Sequence, residues 1–125
     1  MRLNATHDPA RRSWVESANA PGCAFTIQNL PWGVFSKAGG ARRVGVAIGE
    51  MILDVTALEE GGLVAPAPGA RVFGKGVMNP FMALGPRVWS ATRAQIADLL
   101  DAKGGARDLP LVAQADVAMH LPFFV

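Results

Sequence analysis

The chain has 125 residues, of which 50% are hydrophobic and 18% are charged, and its formal net charge is +2. This length suits one domain, and the hydrophobic fraction excludes a chain that is disordered throughout. Positive charges pair at Arg11-Arg12 and Arg42-Arg43 and are otherwise scattered, so we expect neither nucleic acid nor a membrane surface as a partner.

The sequence also indicates the cellular compartment of the protein and the character of its surface. A single cysteine, Cys23, excludes a disulfide within the chain, and with no signal-peptide pattern we expect a cytoplasmic protein. No run of about 18 apolar residues, the length that a membrane-spanning helix needs, is present. The low charged fraction indicates an apolar surface that a partner or another domain covers.

The N-terminal third predicts a leader followed by two short strands. Residues 1–12 are polar and basic, which is typical of a flexible leader. Residues 20–22 predict a turn, and residues 25–27 and 33–35 alternate like short strands. Pro31 lies between the two strands and interrupts their pairing, because it lacks a backbone N–H.

Residues 43–55 predict a tight hairpin. Val44, Val46 and Ile48 alternate with small residues, and a second apolar run follows Gly49-Glu50. A glycine at the first position of a two-residue connection favours a type II′ turn, whose positive φ a glycine adopts without strain. Residues 59–76 are rich in glycine and proline and predict a surface loop.

Two helices are predicted next. Asn79 is a candidate cap and Gly85 a candidate end for a short helix with Pro80 in its first turn. A longer helix is predicted over 86–103, ended by glycines at 104 and 105, and residues 112–120 predict a further extended segment. The apolar face of the longer helix comprises Trp89, Thr92, Ile96, Leu99 and Leu100.

No residue pattern forms a complete catalytic or metal site. Cys23 with His7 or His120 is one conceivable thiolate pair, but a packed cysteine and a structural histidine are the favoured interpretations. Glu59-Glu60 is interpreted as a solvated pair, and no carboxylates show the spacing of a metal site. The remaining candidates are interpreted as structural residues of strands, turns or the core. They are Ser13, Ser17, Ser36, Ser90, the glycines of 45–49 and 74–76, and Trp14, Trp32 and Trp89.

The chain resembles the N-terminal domain of the fumarylacetoacetase family over residues 13–122. Four ordered blocks carry the resemblance: residues 13–15 with Ala18; residues 25–36; residues 43–49 leading to 52–54; and Asn79, Phe81, Met82, Leu84, Gly85 and Trp89 followed by Met119-His120-Leu121-Pro122. The resemblance implies a mainly β fold with a helical insertion (α+β), a small SH3-like β-barrel. It also implies a parent enzyme that hydrolyses a carbon–carbon bond of fumarylacetoacetate, giving fumarate and acetoacetate in tyrosine and phenylalanine breakdown.

In the family, Mg²⁺ or Ca²⁺ polarises the diketo oxygens while a His–Glu pair activates water. Those residues follow the block that ends at Pro122, so no catalytic, cofactor-binding or metal residue of the family maps onto this chain, and His120 is not the base. The expectation is a leader (1–12), the N-terminal domain (13–122) and the start of a missing link (123–125). The resemblance implies the C-terminal catalytic domain as partner and a homodimeric parent. The alternative is a stand-alone small β-barrel that binds a peptide or nucleic acid.

Overall fold

The protein is described from a computed structural model, which covers residues 12–20, 25–37, 40–67, 70–74, 76–102 and 109–120. The predictions for residues 1–11, 21–24, 103–108 and 121–125, which include His7, Cys23 and the glycines at 104 and 105, lie outside the described residues. Within the described part, no helix combines the length and hydropathy that crossing a bilayer requires.

Five antiparallel strands form one sheet. They are β1 (Trp32–Ser36), β2 (Arg43–Ile48), β3 (Met51–Asp54), β4 (Leu111–Ala113) and β5 (Ala118–His120), in the spatial order β4-β3-β2-β1-β5. The register pairs Gly33 with Gly45, Ile52 with Val112, and Phe35 with Met119. The sheet curls into a half-barrel, which confirms the expected mainly β fold and fits a small SH3-like barrel.

Three helices occupy the connection between the neighbouring strands β3 and β4. They are α1 (Val55–Glu60), α2 (Asn79–Met82) and α3 (Pro86–Leu100), and they form the expected helical insertion. The core lies between these helices and one face of the sheet, where Val34, Val44, Val46, Leu53, Leu58, Phe73, Phe81, Ile96 and Leu100 are buried. Strand residues alternate between faces, so every second residue of β1 and β2 enters this core.

The predicted hairpin is confirmed. Ile48 pairs with Met51 across the Gly49-Glu50 turn. Gly49 has φ 57°, and no described residue other than glycine has a positive φ, which is the pattern of a type II′ turn. The second strand ends at Asp54 rather than at Val55, because Asp54 Oδ1 accepts the Ala57 N–H at 3.0 Å and begins α1.

Helix α1 was missed by the sequence analysis, and the other two helices differ from prediction at their ends. Asn79 is the first residue of α2 rather than its cap, while Pro80 lies in the first turn as expected. Helix α3 begins at Pro86 but ends at Leu100, three residues early. The Leu100 carbonyl accepts hydrogen bonds from the Trp14 N–H at 3.0 Å and from Ser13 Oγ at 2.7 Å. The N-terminal segment thus supplies the donors that the last carbonyl of the helix lacks within the helix.

The predicted strand at 25–27 is wrong, and the predicted extended segment at 112–120 is only partly right. Residues 25–27 do not pair in the sheet; a turn forms there, closed by the Asn29 N–H donating to the Thr26 carbonyl at 2.9 Å. The extended segment 112–120 is interrupted by a 3₁₀ turn, Gln114–Asp116, whose first N–H donates to the Glu50 carbonyl at 3.0 Å. This turn redirects the chain from β4 at one edge of the sheet to β5 at the other.

Candidate functional site

A groove lies on the face of the sheet opposite the helices. Its cavity volume is about 310 Å³. Six of the strand residues that line it alternate with the core residues of β1, β2 and β3: Gly33, Phe35, Gly45, Ala47, Ile52 and Met119. Trp32, at the start of β1, lines it as well and also packs against the core. We call this feature the sheet groove.

Two glycines of the sheet groove lie directly beneath larger apolar side chains. A Cβ placed on Gly45 would lie 2.5 Å from Ile52 Cγ2 and 2.8 Å from Phe35 Cε1, so only a hydrogen atom fits there. Phe35 and Ile52 therefore close over Gly45, and both are buried. A Cβ on Gly33 would lie 3.1 Å from Met119 Cε, so the Met119 methyl group packs over this glycine.

The rim of the sheet groove combines apolar side chains with one side-chain amide. Met119 is 60% exposed, and Phe25, Pro31 and Trp32 line the same opening. Gln114 is the only amide among the described lining residues. Its Nε2 donates to the Gly49 carbonyl at 2.8 Å and to the Met51 carbonyl at 3.2 Å, so this group holds the hairpin turn.

His120 contacts a serine on the neighbouring strand. Its Nε2 lies 2.7 Å from Ser36 Oγ, and the two residues stand on the neighbouring strands β5 and β1. The contact therefore joins the edge strand β5 to the strand beside it. A nucleophilic serine needs in addition oxyanion donors aimed at a substrate carbonyl, and the described geometry around the pair supplies only the cross-strand contact.

The other serine candidates serve the backbone or lie at the surface. Ser13 is buried, and its Oγ donates to the Leu100 carbonyl. Ser17 Oγ accepts the Glu50 N–H at 3.0 Å, which docks the hairpin turn on the 3₁₀ turn Glu16–Asn19. Ser90 is an exposed residue of α3.

Glu59 corrects the prediction of a solvated pair. Its side chain is buried, and its carboxylate accepts the Val72 N–H at 2.8 Å and the Phe73 N–H at 3.0 Å. Glu60 is exposed, as predicted. Burial of Glu59 is permitted because two backbone donors replace the water that its carboxylate gives up.

Asp54, Arg43 and Glu60 form a small charge network beside α1. Arg43 Nε donates to Asp54 Oδ2 at 2.7 Å, and Arg43 Nη2 donates to Glu60 Oε1 at 2.9 Å. Burial alone lowers the pKa of Arg43, but the hydrogen bonds and charges of Asp54 and Glu60 outweigh it, so the pKa is raised. Each of these carboxylates thus accepts a hydrogen bond from the arginine.

The tryptophans and glycines have the structural roles that the sequence predicts. Trp32 stacks on Phe73 with ring centroids 5.6 Å apart. Trp14 and Trp89 are partly buried, and their indole N–H groups donate to the carbonyls of Leu99 at 2.9 Å and Phe81 at 3.2 Å. Gly45 is a strand residue and Gly49 a turn residue.

The described residues do not assemble a metal site. Among them, no group of three or more His, Cys, Asp or Glu side chains stands close enough to hold an ion. The sheet groove was not predicted from the sequence. The alternation of Gly45 and Ala47 with valines was its available signal, but the positions of Gln114 and Met119 depend on how distant strands pair.

Comparison with known proteins places the sequence in a family. Residues 28–122 match the family model described as fumarylacetoacetase N-terminal. Similar curated proteins are the fumarylacetoacetases of Caenorhabditis elegans (40% identical over 110 residues, 78% of this chain and 26% of the relative) and Mus musculus (38% over 108 residues, 78% and 26%). That of Oryza sativa subsp. japonica is 35% identical over 127 aligned residues, covering 91% of this chain and 29% of the relative. The chain spans about a quarter of the length of the relatives it matches.

Proposed function

The chain belongs to the fumarylacetoacetase N-terminal family, and we propose that it acts as the non-catalytic N-terminal domain of a fumarylacetoacetase. The parent enzyme would hydrolyse a carbon–carbon bond of fumarylacetoacetate to give fumarate and acetoacetate, in the breakdown of tyrosine and phenylalanine. The observation that carries the proposal is the family match over residues 28–122. The chain is also 35–40% identical to fumarylacetoacetases, and the aligned region covers about a quarter of their length.

The metal chemistry of such an enzyme is proposed to lie in another part of the parent. Mg²⁺ and Ca²⁺ take several oxygen ligands that converge on one point. The carboxylates of Asp54, Glu59 and Glu60 do not fit this requirement, because each is bonded to an arginine or to backbone N–H groups. We therefore derive no catalytic step from the described residues.

The proposal assigns this domain a supporting role. Its partner would be the C-terminal catalytic domain of the parent, which we propose to be a cytoplasmic homodimer. Most of the hydrogen-bonding side chains described above hold the domain's own backbone, and the others bond to side chains of the same domain. Such a domain suits docking on a catalytic domain better than chemistry of its own.

The first test uses the chain alone. It is incubated with fumarylacetoacetate and Mg²⁺ or Ca²⁺, and the loss of substrate absorbance is followed. We expect no turnover above the blank with either ion. Metal-dependent turnover by the isolated chain would overturn the non-catalytic assignment.

The second test places the domain in an enzyme. Residues 13–122 replace the matching domain of the Caenorhabditis elegans fumarylacetoacetase, and the same enzyme without its N-terminal domain is the control. We expect the chimera to fold and to retain turnover within about tenfold of its parent, a difference of about 1.4 kcal/mol in activation free energy. An unfolded chimera that is no better than the deletion control would count against the proposal.

A further inference from the structure

The sheet groove leaves one large apolar side chain, Met119, open to solvent on its rim, whereas Phe35 and Ile52 inside it are buried. Of the large hydrophobic residues that the structure describes, only Leu63 and Met119 are strongly exposed, at 49% and 60%. Leu63 lies just after α1, whereas Met119 stands on the rim of a cavity of about 310 Å³. A concave apolar surface of this kind marks a place where another molecule or domain packs.

The chemistry of the sheet groove favours a protein side chain over a small metabolite. Metabolite pockets orient their ligands with a few converging polar groups. Here the one side-chain amide, Gln114, uses its Nε2 to bind the Gly49 and Met51 carbonyls. The remaining described lining is glycine, alanine, proline, aliphatic and aromatic side chains. Such a lining suits a mainly apolar partner.

The path of the chain indicates which protein segment is near. Strand β5 carries Met119 and is the last strand of the family match, which ends at residue 122. In the relatives, about three quarters of the length lies outside the matched domain, which the family description places at the N-terminus. The catalytic portion of a parent enzyme would therefore continue from the rim of the sheet groove. Covalent connection of the two parts would raise their effective concentration, so a modest apolar contact would suffice to hold them together.

We propose that the sheet groove is the surface on which this domain docks the catalytic portion of its parent, with apolar side chains of that portion covering Met119. The inference rests on the proposed function, because it takes the parent to be a fumarylacetoacetase. It adds the docking face: the side of the sheet opposite the helices, where Met119 and Trp32 line the groove.

Hydroxyl-radical footprinting of the isolated chain and of the chimera tests this proposal, because oxidation follows side-chain exposure. Met119 should be oxidised several-fold more slowly in the chimera than in the isolated chain. Leu63 is the matched control and should react at the same rate in both. Equal oxidation of Met119 in an active chimera would overturn the docking face and leave the proposed function standing. Protection of Met119 that grows with the concentration of the isolated chain would instead show a second copy as the occupant and overturn the proposal.

A pair of variants gives an independent readout. Met119→Asp should lower the thermal midpoint of the chimera but not that of the isolated chain, whose Met119 already faces solvent. Leu63→Asp should have the same effect in both proteins. If Met119→Asp destabilises the two proteins equally, the side chain serves only the domain itself and the proposal is wrong. A chimera that neither folds nor turns over substrate would instead overturn the proposed function, and the docking face would fall with it.

Discussion

The carboxylate of Glu59 holds the backbone of Phe73: Glu59 Oε1 accepts the Phe73 N–H at 3.0 Å, while Oε2 accepts the Val72 N–H at 2.8 Å. This contact fastens the end of α1 to the loop that leads to α2. The ring of Phe73, thereby placed, stacks on Trp32 beside the sheet groove. A buried carboxylate thus positions the aromatic cluster that supports one wall of the proposed docking surface.

Glu59→Gln should destabilise the domain by about 1–3 kcal/mol, the effect of leaving a buried donor without its acceptor. The amide keeps one acceptor oxygen, but its NH₂ group then faces the second backbone N–H. Urea unfolding followed by tryptophan fluorescence measures the loss. The matched control is Glu60→Gln, which removes the exposed partner of Arg43 and should change stability by less than about 1 kcal/mol. Equal losses for the two variants would contradict the role assigned to Glu59.

Sequence patterns predicted the centre of the fold because the relevant interactions are local. The hairpin follows from alternation around Gly49, and the start of α3 follows from Pro86 and an apolar face with the helical period. Residues 25–27 show where local patterns are insufficient. An alternation of only three residues does not distinguish a strand from the turn that forms there.

The candidate site was less predictable than the fold. Glu59 binds backbone N–H groups 13 and 14 residues away, and a backbone donor has no signature in the sequence. The sheet groove needs β5 beside β1, a pairing between residues more than 80 positions apart. The low charged fraction predicts a covered apolar surface without locating it, and this stays a prediction.

Thr56→Val should lower stability by about 2–3 kcal/mol, because two buried backbone groups lose their partner. Thr56 Oγ1 accepts the Val44 N–H at 2.8 Å and donates to the Phe73 carbonyl at 3.2 Å, so it ties β2 to the loop. Valine keeps the shape of the side chain and removes only the hydroxyl. Thr56→Ser keeps the hydroxyl and should lose less than half as much in the same urea titration. If serine is as harmful as valine, packing of the methyl group rather than hydrogen bonding stabilises this site.

Gly49→Ala should be more destabilising than Gly62→Ala, although both glycines have positive φ values, 57° and 78°. A Cβ on Gly49 would overlap Ser17 Oγ and lie 2.6 Å from the Ala18 N, whereas a Cβ on Gly62 meets nothing within 4 Å. Gly62→Ala therefore measures backbone strain alone, about 1–2 kcal/mol. Gly49→Ala adds the displacement of the 3₁₀ turn, which thermal unfolding should report as a clearly lower midpoint. Similar midpoints for the two variants would show that the hairpin does not dock tightly on this turn.

Arg43→Gln should destabilise the domain by about 1 kcal/mol, and the loss should be constant between about pH 7 and pH 10. The pKa of Arg43 is raised in the folded state, where Asp54 and Glu60 outweigh the effect of burial. A basic group with a raised pKa stabilises the fold fully below its ordinary pKa and loses that contribution only as the pH rises through the folded value. Arginine titrates above this whole window. Urea midpoints measured at several pH values check the prediction, with the exposed neighbour Arg42→Gln as the control. A loss that vanishes by pH 10, or that Arg42→Gln reproduces, would show that the ion pairs do not carry the effect.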